Sequence, residues 1–344
     1  MAWRGLIDHR RSLDKTPLEF YMLFKSVRHF CLLLMMALPA GAAMAQAWPN
    51  RPVKIIVPYP PGGQTDIVSR WLGEKLQAAL GQPFIVDNKA GAQGVVGISA
   101  LKQSLPDGYT IAYVNSSNMI INKFAMVKLP YDAPDDFEMV NQIGMAALGM
   151  VVAPALGTKT VDEFLRYARA NPGKTSFASF GIGSSSHLYG EMFKSAAKLD
   201  MVHVPYKGAA PAVQDVIAGT ATMGIHDFAT IGPLVQGGRA QLLAVTGPKR
   251  WPHFPAAPTF VELGFPLDLV GWNGFVAPKG TPRAVVDRLS SEISKIIQTP
   301  EGRAKMLELG LLATGTTSAE FTDIVKRDTV RWAEVWKAAG IAAQ

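Results

Sequence analysis

Short apolar runs alternate with amphipathic windows along most of this 344-residue chain. Residues 53–59 have the pattern of a buried strand, and residues 65–80 place apolar side chains at helical spacing before Gly81 and Pro83 end the pattern. The same alternation predicts further strands at 84–86, 110–114, 175–180, 201–205, 222–226, 241–245 and 269–276. Such an order is typical of α/β layers with a mainly parallel sheet.

The C-terminal part is predicted to be helical. It follows a Pro-rich segment, residues 247–266, whose composition predicts a surface connection. Pro282 suits the first position of a helix, and Thr317 with Glu320 has the spacing of a capping box for the last helix. If this tail packs on the first α/β unit, the chain crosses twice between two domains, and their strand ends meet in a cleft.

We therefore predict two domains behind a leader. The leader is residues 1–45, the first domain combines 46–147 with 269–344, and the second domain is 148–268. A chain with 48% hydrophobic and 18% charged residues buries a large core, and its length suits two domains better than one. Beyond the leader, no apolar stretch of the sequence is long enough to span a membrane.

The leader has the three regions of a secretory signal peptide, because basic residues, an apolar stretch and small residues follow one another up to Ala45. We predict export from the cytoplasm and cleavage after Ala45. Residues 1–21 are polar, which favours a start at Met22 and a signal peptide of residues 22–45; a longer basic leader is the alternative. Cys31 is the only cysteine, so the mature chain is expected to have no disulfide.

The charge balance favours anions over nucleic acid as partners. The chain has 34 Lys and Arg against 27 Asp and Glu, a formal charge of +7; the leader holds six of the basic and three of the acidic residues, which leaves +4. A modest positive charge attracts anions. The sequence has no basic run interleaved with aromatic residues, so nucleic acid is not expected as a partner.

Two glycine-rich turns, residues 60–66 and 181–187, carry the candidate chemistry. Each follows a strand-like run and opens a helix-like one. Glycine lets the backbone approach a ligand, and free N–H groups at the positive end of a helix favour an anion. Two such turns in separate halves of the chain predict a site for a small acidic molecule. A plain turn capped by Thr65 or Asp66, and a Ser-rich helix start, are the alternatives.

The side chains around these turns suggest different roles. Asp66 would repel an anion, so we assign it to capping, or to binding a ligand amine or a bridging water. The three hydroxyls of residues 184–186, together with backbone N–H groups, can satisfy a carboxylate. His226 and Asp227 end a predicted strand, where they face the cleft or else form a hydrogen-bonding pair within the fold.

Motifs for catalysis and cofactors are not found. Residues 181–187 fail the G-x-S-x-G pattern, because Gly183 or His187 stands where the pattern needs serine or glycine. Ser186 replaces the last glycine of a dinucleotide fingerprint, no G-x-x-x-x-G-K-[ST] loop exists, and the histidines lack metal-ligand spacing. We predict no catalytic residue, cofactor or metal. A secreted serine hydrolase using Ser184 and His187 is the rival hypothesis.

Several short motifs occur in an order that is not expected by chance. They are Trp48-Pro49 with Arg51-Pro52, 57–63 with Asp66, 106–110, Gly183-Ser184 with His187-Leu188, 204–208, 243–246, and Trp272-Asn273-Gly274 with Ala277-Pro278. In these motifs the chain resembles the periplasmic solute-binding proteins of tripartite tricarboxylate transporters, called Bug or TctC-type receptors. The likeness runs from about Trp48 to the C-terminus.

This resemblance implies a type II periplasmic-binding-protein fold, in which two α/β domains close on a carboxylated small molecule in a cleft between them. It also implies a periplasmic location, and that both glycine turns hold carboxylates, often through bridging waters. Carried over by motif, the contacts are Tyr59, Gly62, Gly63, Asp66, Gly183, Ser184 and Ser185; His187, His226 and Asp227 complete the predicted site.

Two departures from the family pattern bear on the ligand. Gln93 stands where the family usually has glycine, and Gly-Ile-His-Asp at 224–227 replaces a usual Met-Phe-Asp-Asn. A protonated His226 would pair with a carboxylate, although burial opposes protonation. We expect a monomer that passes a dicarboxylate, tricarboxylate, acidic amino acid or aromatic acid to membrane transporter subunits. A sensor or interaction subunit without a transport role is the other alternative.

Overall fold

The computed structural model describes residues 48–343 of the chain. The predicted signal peptide, the start at Met22, Cys31 and the cleavage site after Ala45 lie outside these residues. Compact units divide after Asn50, and the following description concerns the unit that begins at Arg51. In the described part of the chain, no helix has both the length and the apolar character needed to cross a bilayer.

The first lobe is built on a mixed six-stranded sheet. Its strands are β1 (Val53–Val57), β2 (Phe84–Asn88), β3 (Thr110–Asn115), β4 (Phe137–Ala146), β10 (Gly271–Pro278) and β11 (Leu312–Ala313). Their order in the sheet is β11-β4-β10-β3-β1-β2. The strand β1 is parallel to β2 and β3, whereas β10 is antiparallel to β3 and β4, and β11 is antiparallel to β4.

The second lobe is built on a mixed five-stranded sheet. Its strands are β5 (Leu148–Val152), β6 (Thr175–Ser179), β7 (Met201–Pro205), β8 (Met223–Asp227) and β9 (Gln241–Val245), in the order β7-β6-β8-β5-β9. The strand β6 is parallel to β7 and β8, but β5 is antiparallel to β8 and β9. The prediction of a mainly parallel sheet is wrong, because five of the strand pairings in the two described sheets are antiparallel and four are parallel.

Helices cover both sheets. They are α1 (Gln64–Leu80), α2 (Val95–Lys102), α3 (Asn122–Ala125), α4 (Val161–Ala170), α5 (Ser185–Ala197), α6 (Ala209–Ile217), α7 (Phe228–Gln236), α8 (Arg283–Gln298), α9 (Pro300–Glu308) and α10 (Ser318–Ala339). A π-helical turn, Ser117–Ile121, leads directly into α3. The capping box that Thr317 and Glu320 predict at the start of α10 is confirmed.

The strands of the two sheets come from different stretches of sequence. Those of the first lobe lie within 53–146 and 271–313, and those of the second within 148–245. The predicted domain boundaries, after residues 147 and 268, stay a prediction. In the following description, the first lobe means the six-stranded sheet with α1–α3 and α8–α10, and the second lobe means the five-stranded sheet with α4–α7.

The Pro-rich segment 247–266 connects β9 to β10 without a helix or strand and is exposed over more than half of its residues, as predicted, but it also buries two aromatic side chains. Trp251 and Phe260 keep only 1% and 0% of their surface exposed. Trp251 stacks on Phe228 with ring centroids 4.7 Å apart. Prolines prevent a helix in this segment, but the aromatic side chains between them supply apolar area that is stabilising when buried.

The last helix, α10, contacts both lobes. Phe321 packs edge-on against Trp272 of β10, with centroids 5.0 Å apart, and Trp332 packs edge-on against Tyr189 of α5 at 5.6 Å. All four rings are buried. Because edge-to-face aromatic pairs in a buried setting contribute beyond their area, α10 fixes one side of the junction between the lobes.

Candidate functional site

The first glycine loop, residues 60–63, joins β1 to α1. Gly63 is the N-cap of α1 in an extended conformation, and no side chain caps it. The prediction of Thr65 or Asp66 as N-cap is therefore wrong, since the helix begins before them. Asp66 reaches back from the first turn, where its Oδ2 accepts the N–H of Gly62 at 3.0 Å.

Asp66 is held as a carboxylate by its neighbours. Only 4% of its surface is exposed. Arg70 Nε and Asn88 Nδ2 each donate to it at 3.0 Å. Burial alone raises the pKa of Asp66, but the hydrogen bonds from Arg70, Gly62 and Asn88 outweigh burial and hold the pKa below its ordinary value. The charge of Asp66 therefore stabilises the loop from within the first lobe, although Asp66 is not the N-cap.

The start of α1 leaves backbone donors free. Within residues 48–343, the N–H groups of Gly63, Gln64 and Thr65 have no acceptor, as is usual for the first amides of a helix. Gly62 and Gly63 are exposed. An anion placed here meets N–H donors at the positive end of the helix dipole.

The second glycine loop, residues 181–184, joins β6 to α5 and is anchored by its own side chains. Ser184 is the N-cap of α5; its Oγ accepts the N–H of His187 at 3.3 Å and donates to the carbonyl oxygen of Gly181 at 2.6 Å. Gly183 has a φ of +74°, a left-handed conformation that favours glycine. Gly183 and Ser184 are buried, unlike the glycines of the first loop.

His187 stabilises the second glycine loop. Its Nδ1 accepts the N–H of Gly183 at 3.1 Å, which leaves the ring proton on Nε2, 3.9 Å from Glu191 Oε1. Burial lowers the pKa of His187, and the Glu191 carboxylate only partly offsets this. The ring must be neutral here, because a protonated Nδ1 cannot accept a hydrogen bond.

A second imidazole, that of His203 on β7, supports the same loop. It stacks on His187 with ring centroids 3.8 Å apart, and its Nε2 lies 2.7 Å from Ser179 Oγ. Ser179 donates in turn to the carbonyl oxygen of Gly181 at 3.2 Å. Burial, reinforced by the neighbouring His187, lowers the pKa of His203 to about 3. This role was not predicted from the sequence, because it follows from the pairing of β7 with β6.

Ser185 carries a hydroxyl that makes no hydrogen bond to any other described residue. The hydroxyls on either side of it are engaged, since Ser184 donates to Gly181 and Ser186 donates to the carbonyl oxygen of Ile225 at 2.6 Å. The N–H groups of Ser185 and Ser186 also have no acceptor among residues 48–343. Three donors at the start of α5 are thus free for a carboxylate.

The two lobes meet at the second glycine loop. Gln93, from a loop at 91–94 in the first lobe, donates through Nε2 to the carbonyl oxygen of Ile182 at 3.0 Å. Gly183 approaches Ala125 so closely that an added Cβ would lie 2.9 Å from the Cβ of that residue. The structure therefore brings this loop against the first lobe, on the side where β2 and α3 end.

Tyr59 is half-buried at the end of the first strand, with its hydroxyl bound inside the first lobe. Asn115 Nδ2 donates to this hydroxyl at 2.9 Å, and Asn115 Oδ1 accepts the N–H of Asn118 at 3.0 Å. Burial raises the pKa of Tyr59, so the phenol stays neutral. Neither asparagine was predicted from the sequence; their signal is the run Asn-Ser-Ser-Asn at the end of a buried strand.

His226 and Asp227 end β8 and contact the interior of the second lobe. His226 is fully buried, neither ring nitrogen has a partner in the described part, and burial lowers its pKa to about 3. Its Nε2 lies over Gly224, where an added Cβ would be 2.3 Å away. Asp227 caps α7 and accepts the N–H of Thr230 at 2.9 Å. The hydrogen-bonding pair proposed as the alternative is not formed.

Other features of the second lobe add no rival site. A groove of about 760 Å³ borders β9 and is lined in part by residues 240–243 and 253–258. None of the predicted site residues lines it, and it lies at the edge where β5 ends, opposite the carboxyl end of β8. Within residues 48–343, no three His, Cys, Asp or Glu side chains are arranged to hold a metal ion.

Comparison with known proteins decides the family. Over residues 68–341 the chain matches the family described as "Tripartite tricarboxylate transporter family receptor". The chain belongs to this family. BugT of Bordetella pertussis (strain Tohama I) is 33% identical over 303 residues, 88% of this chain and 93% of BugT. The resemblance to the periplasmic Bug and TctC-type receptors is confirmed.

Solved structures of other proteins share the fold. Rpa4515 of R. palustris, solved with adipate, has a TM-score of 0.81 and 31% identity, covering 86% of this chain and 100% of that one. MatC (Rpa3494) from Rhodopseudomonas palustris, with bound malate, has a TM-score of 0.74 and 26% identity, covering 84% and 100%. The predicted two-domain periplasmic-binding-protein fold is confirmed.

Proposed function

We propose that this protein is an extracytoplasmic solute-binding protein that captures a small dicarboxylate for a tripartite tricarboxylate-type transporter. Each lobe offers a helix N-terminus with free N–H groups, one at Gly63 and one at Ser185. Two separated anion sites suit a ligand with a negative group at either end. The relatives with adipate and malate bind molecules of that kind.

The observation that carries this proposal is the free hydroxyl of Ser185 beside two free amides. The neighbouring Gly183 N–H, Ser184 hydroxyl and Ser186 hydroxyl are already engaged within the described part of the chain. A pre-arranged donor set loses little entropy on binding, so it favours a ligand that supplies the missing acceptors.

The predicted site residues divide into two groups in this proposal. Gly63 and Ser185 contact the ligand, with the amides that follow each of them. Asp66 and His187 position the two loops, through Gly62 and Gly183. Tyr59 shapes the wall of the first lobe, while His226 and Asp227 act inside the second lobe and not on the ligand.

The rival serine hydrolase lacks its catalytic pair. The Ser184 hydroxyl donates to Gly181, and the His187 Nδ1 is occupied by the Gly183 N–H. The remaining Nε2 carries the proton and is directed at Glu191, so it cannot accept one from Ser184. We therefore propose binding without turnover; ester cleavage that disappears in Ser184→Ala would reverse this assignment.

We also propose that the mature protein begins at Gln46 and works in the periplasm. The small residues before this position and the family's periplasmic receptors support the assignment. N-terminal sequencing of protein exported from cells is expected to start at Gln46. A mature form that retains residues 1–21 would contradict both the cleavage site and the proposed start at Met22.

Calorimetry with a panel of acids tests the function directly. We expect adipate or malate to bind, and adipamide, which matches adipate in shape but lacks its charges, to show no binding. Citrate, glutamate and benzoate cover the tricarboxylate, amino-acid and aromatic classes. Binding of neutral solutes with no response to any acid would contradict the proposal.

Replacing Ser185 by alanine tests whether the free hydroxyl of this residue binds the acid. We expect Ser185→Ala to weaken binding of the best acid by about 10- to 100-fold, the loss of one hydrogen bond to a charged group, without lowering the melting temperature. The control is Ser186→Ala, whose hydroxyl bonds to Ile225 inside the lobe and whose loss should lower stability instead. Equal affinities for the Ser185→Ala variant and the parent would remove this residue from the site.

A further inference from the structure

Gln93 adopts a backbone conformation that suits glycine better. Its φ is +54°, and that of Ala92 is +44°. Side chains are strained in this left-handed region, so a residue other than glycine needs a compensating contact. Gln93 is also exposed, so burial of its side chain does not supply the compensation.

The compensating contact is a hydrogen bond between the lobes. The side-chain Nε2 of Gln93 donates to the carbonyl oxygen of Ile182 at 3.0 Å. The main-chain oxygen of Gln93 accepts Asn122 Nδ2 at 3.3 Å, which fixes the residue to the first lobe. Glycine at this position would keep the second bond and lose the first.

Ile182 lies in the loop that presents the free donors of the second lobe. It stands between Gly181 and Gly183, whose N–H groups are already bound to Ser179 and His187. Gln93 therefore contacts the second glycine loop from the side of the first lobe, while the histidine pair anchors it from within the second.

We propose that Gln93 is a positioning residue for the acid site, which holds the second glycine loop against the first lobe before a ligand arrives. The inference rests on the proposed function, because it assigns Gln93 to that same site. When the closed form of a receptor is already populated, its apparent affinity is closer to the intrinsic affinity of the closed form. The reason is that the ligand has to shift a smaller fraction of molecules from open to closed. The side chain of Gln93 thus raises affinity without touching the ligand.

The test measures closure of the ligand-free protein by single-molecule energy transfer. Dyes are placed on cysteines at Leu105 in the first lobe and Val202 in the second, which are 73% and 55% exposed. The mature chain proposed above begins at Gln46 and lacks Cys31, the only cysteine of the sequence, so the dyes have no other cysteine to label. Gln93→Glu keeps the side-chain shape but presents a carboxylate to the Ile182 carbonyl. We expect its closed-to-open ratio to fall about 3- to 10-fold, the range for loss of one hydrogen bond.

Gln103→Glu is the matched control, because Gln103 is also exposed, undergoes the same charge change and makes no side-chain hydrogen bond in the described part. It should leave the closed-to-open ratio unchanged. The ratio of Gln93→Glu should recover as the pH falls through the pKa of glutamate, about 4.3, since a protonated carboxyl again donates. A purely structural role for Gln93 predicts no such recovery.

Gln93→Gly separates closure from stability. Glycine relieves the left-handed strain, so the melting temperature should stay or rise while the closed population falls. An unchanged closed population in both Gln93 variants overturns the proposal. These measurements use no ligand, so their outcome does not depend on the acid panel. If the closed population responds to Gln93 but no acid binds, the role of Gln93 stands and the proposed function is contradicted.

Discussion

The two glycine loops have the same plan and are stabilised by opposite chemistry. Both follow a strand, begin a helix and leave amides free at its start. The first loop is exposed and is stabilised by an ionised carboxylate, Asp66, with Arg70 and Asn88 around it. The second is buried and is stabilised by two neutral imidazoles, His187 and His203.

This difference follows from where each loop lies. A carboxylate near the surface can share its charge with the guanidinium of Arg70, whose side chain is 52% exposed and remains solvated. In the buried loop an unpaired charge would be costly, and a neutral ring that only accepts a hydrogen bond avoids this cost. A similar loop geometry is therefore obtained from different residues, with different sensitivity to substitution and to pH.

The largest effect is expected from the difference in packing between the two glycine loops. Gly183→Ala adds a Cβ at a φ of +74°, only 2.9 Å from the Cβ of Ala125. We expect a loss of about 2–4 kcal/mol of unfolding free energy, from strain plus overpacking, and at least tenfold weaker acid binding. Denaturant unfolding and calorimetry measure the two quantities.

Gly62→Ala is the control for this substitution. Gly62 has a φ of +84°, but nothing lies within 4 Å of its added Cβ, so only the strain of about 1–2 kcal/mol remains. Equal losses in the two variants would show that backbone strain alone governs both loops and that packing against Ala125 is unimportant.

The next effect concerns the charge in the first loop. Asp66→Asn leaves donors at Gly62, Arg70 and Asn88 facing an amide that satisfies them less well, and we expect a loss of about 1–3 kcal/mol by denaturant unfolding. Asp287→Asn removes a carboxylate from a similar i,i+4 pair with Arg283, but both side chains are more than half exposed. That control should cost at most about 0.5 kcal/mol; a similar loss in both variants would mean that Asp66 has no special role.

The smallest effect is a difference in pH response. Burial and His187 lower the pKa of His203 to about 3, from about 6.5 in an unfolded chain. The unfolded chain binds more protons between these values, so stability falls as the pH drops below 6.5, by about 1 kcal/mol per such group down to pH 5.5. The lowered pKa of Asp66 has its effect only below about 4, where its stabilising contribution is lost as the carboxylate is protonated.

His203→Phe keeps a ring stacked on His187 and removes one titrating group. We expect a flatter dependence of melting temperature on pH between 6.5 and 5.5 than in the parent, with His187 and His226 accounting for the remaining slope. A variant whose slope matches that of the parent would show that the stacked pair does not titrate on unfolding.

Much of the fold follows from local sequence patterns. The spacing of apolar residues predicts β1, α1 and β9 to within two residues at each end, and the Thr317 and Glu320 pair predicts where α10 starts. Strand direction is not a local property, so the antiparallel β5 was not predicted. Helix α7 was not predicted either, because Gly232 and Pro233 interrupt its pattern although packing maintains the helix.

The site was partly predictable for the same reason. Glycine turns and helix starts are local signals, so the two loops and their free amides could be predicted from the sequence. The groups that hold them come from other strands: Asn88 from β2 for Asp66, and His203 from β7 for the second loop. Their roles depend on which strands are neighbours in the sheets, which spacing along the chain does not specify.

Trp336, on the last helix, lies beside the second glycine loop: a Cβ added to Gly183 would be 3.8 Å from its Cη2. Indole emission changes with the polarity around the ring, and this ring is half-buried where the loop presents its donors. The receptor therefore contains its own optical probe. Occupancy by an acid should be readable as a shift in intrinsic fluorescence that Trp336→Phe abolishes, without any attached label.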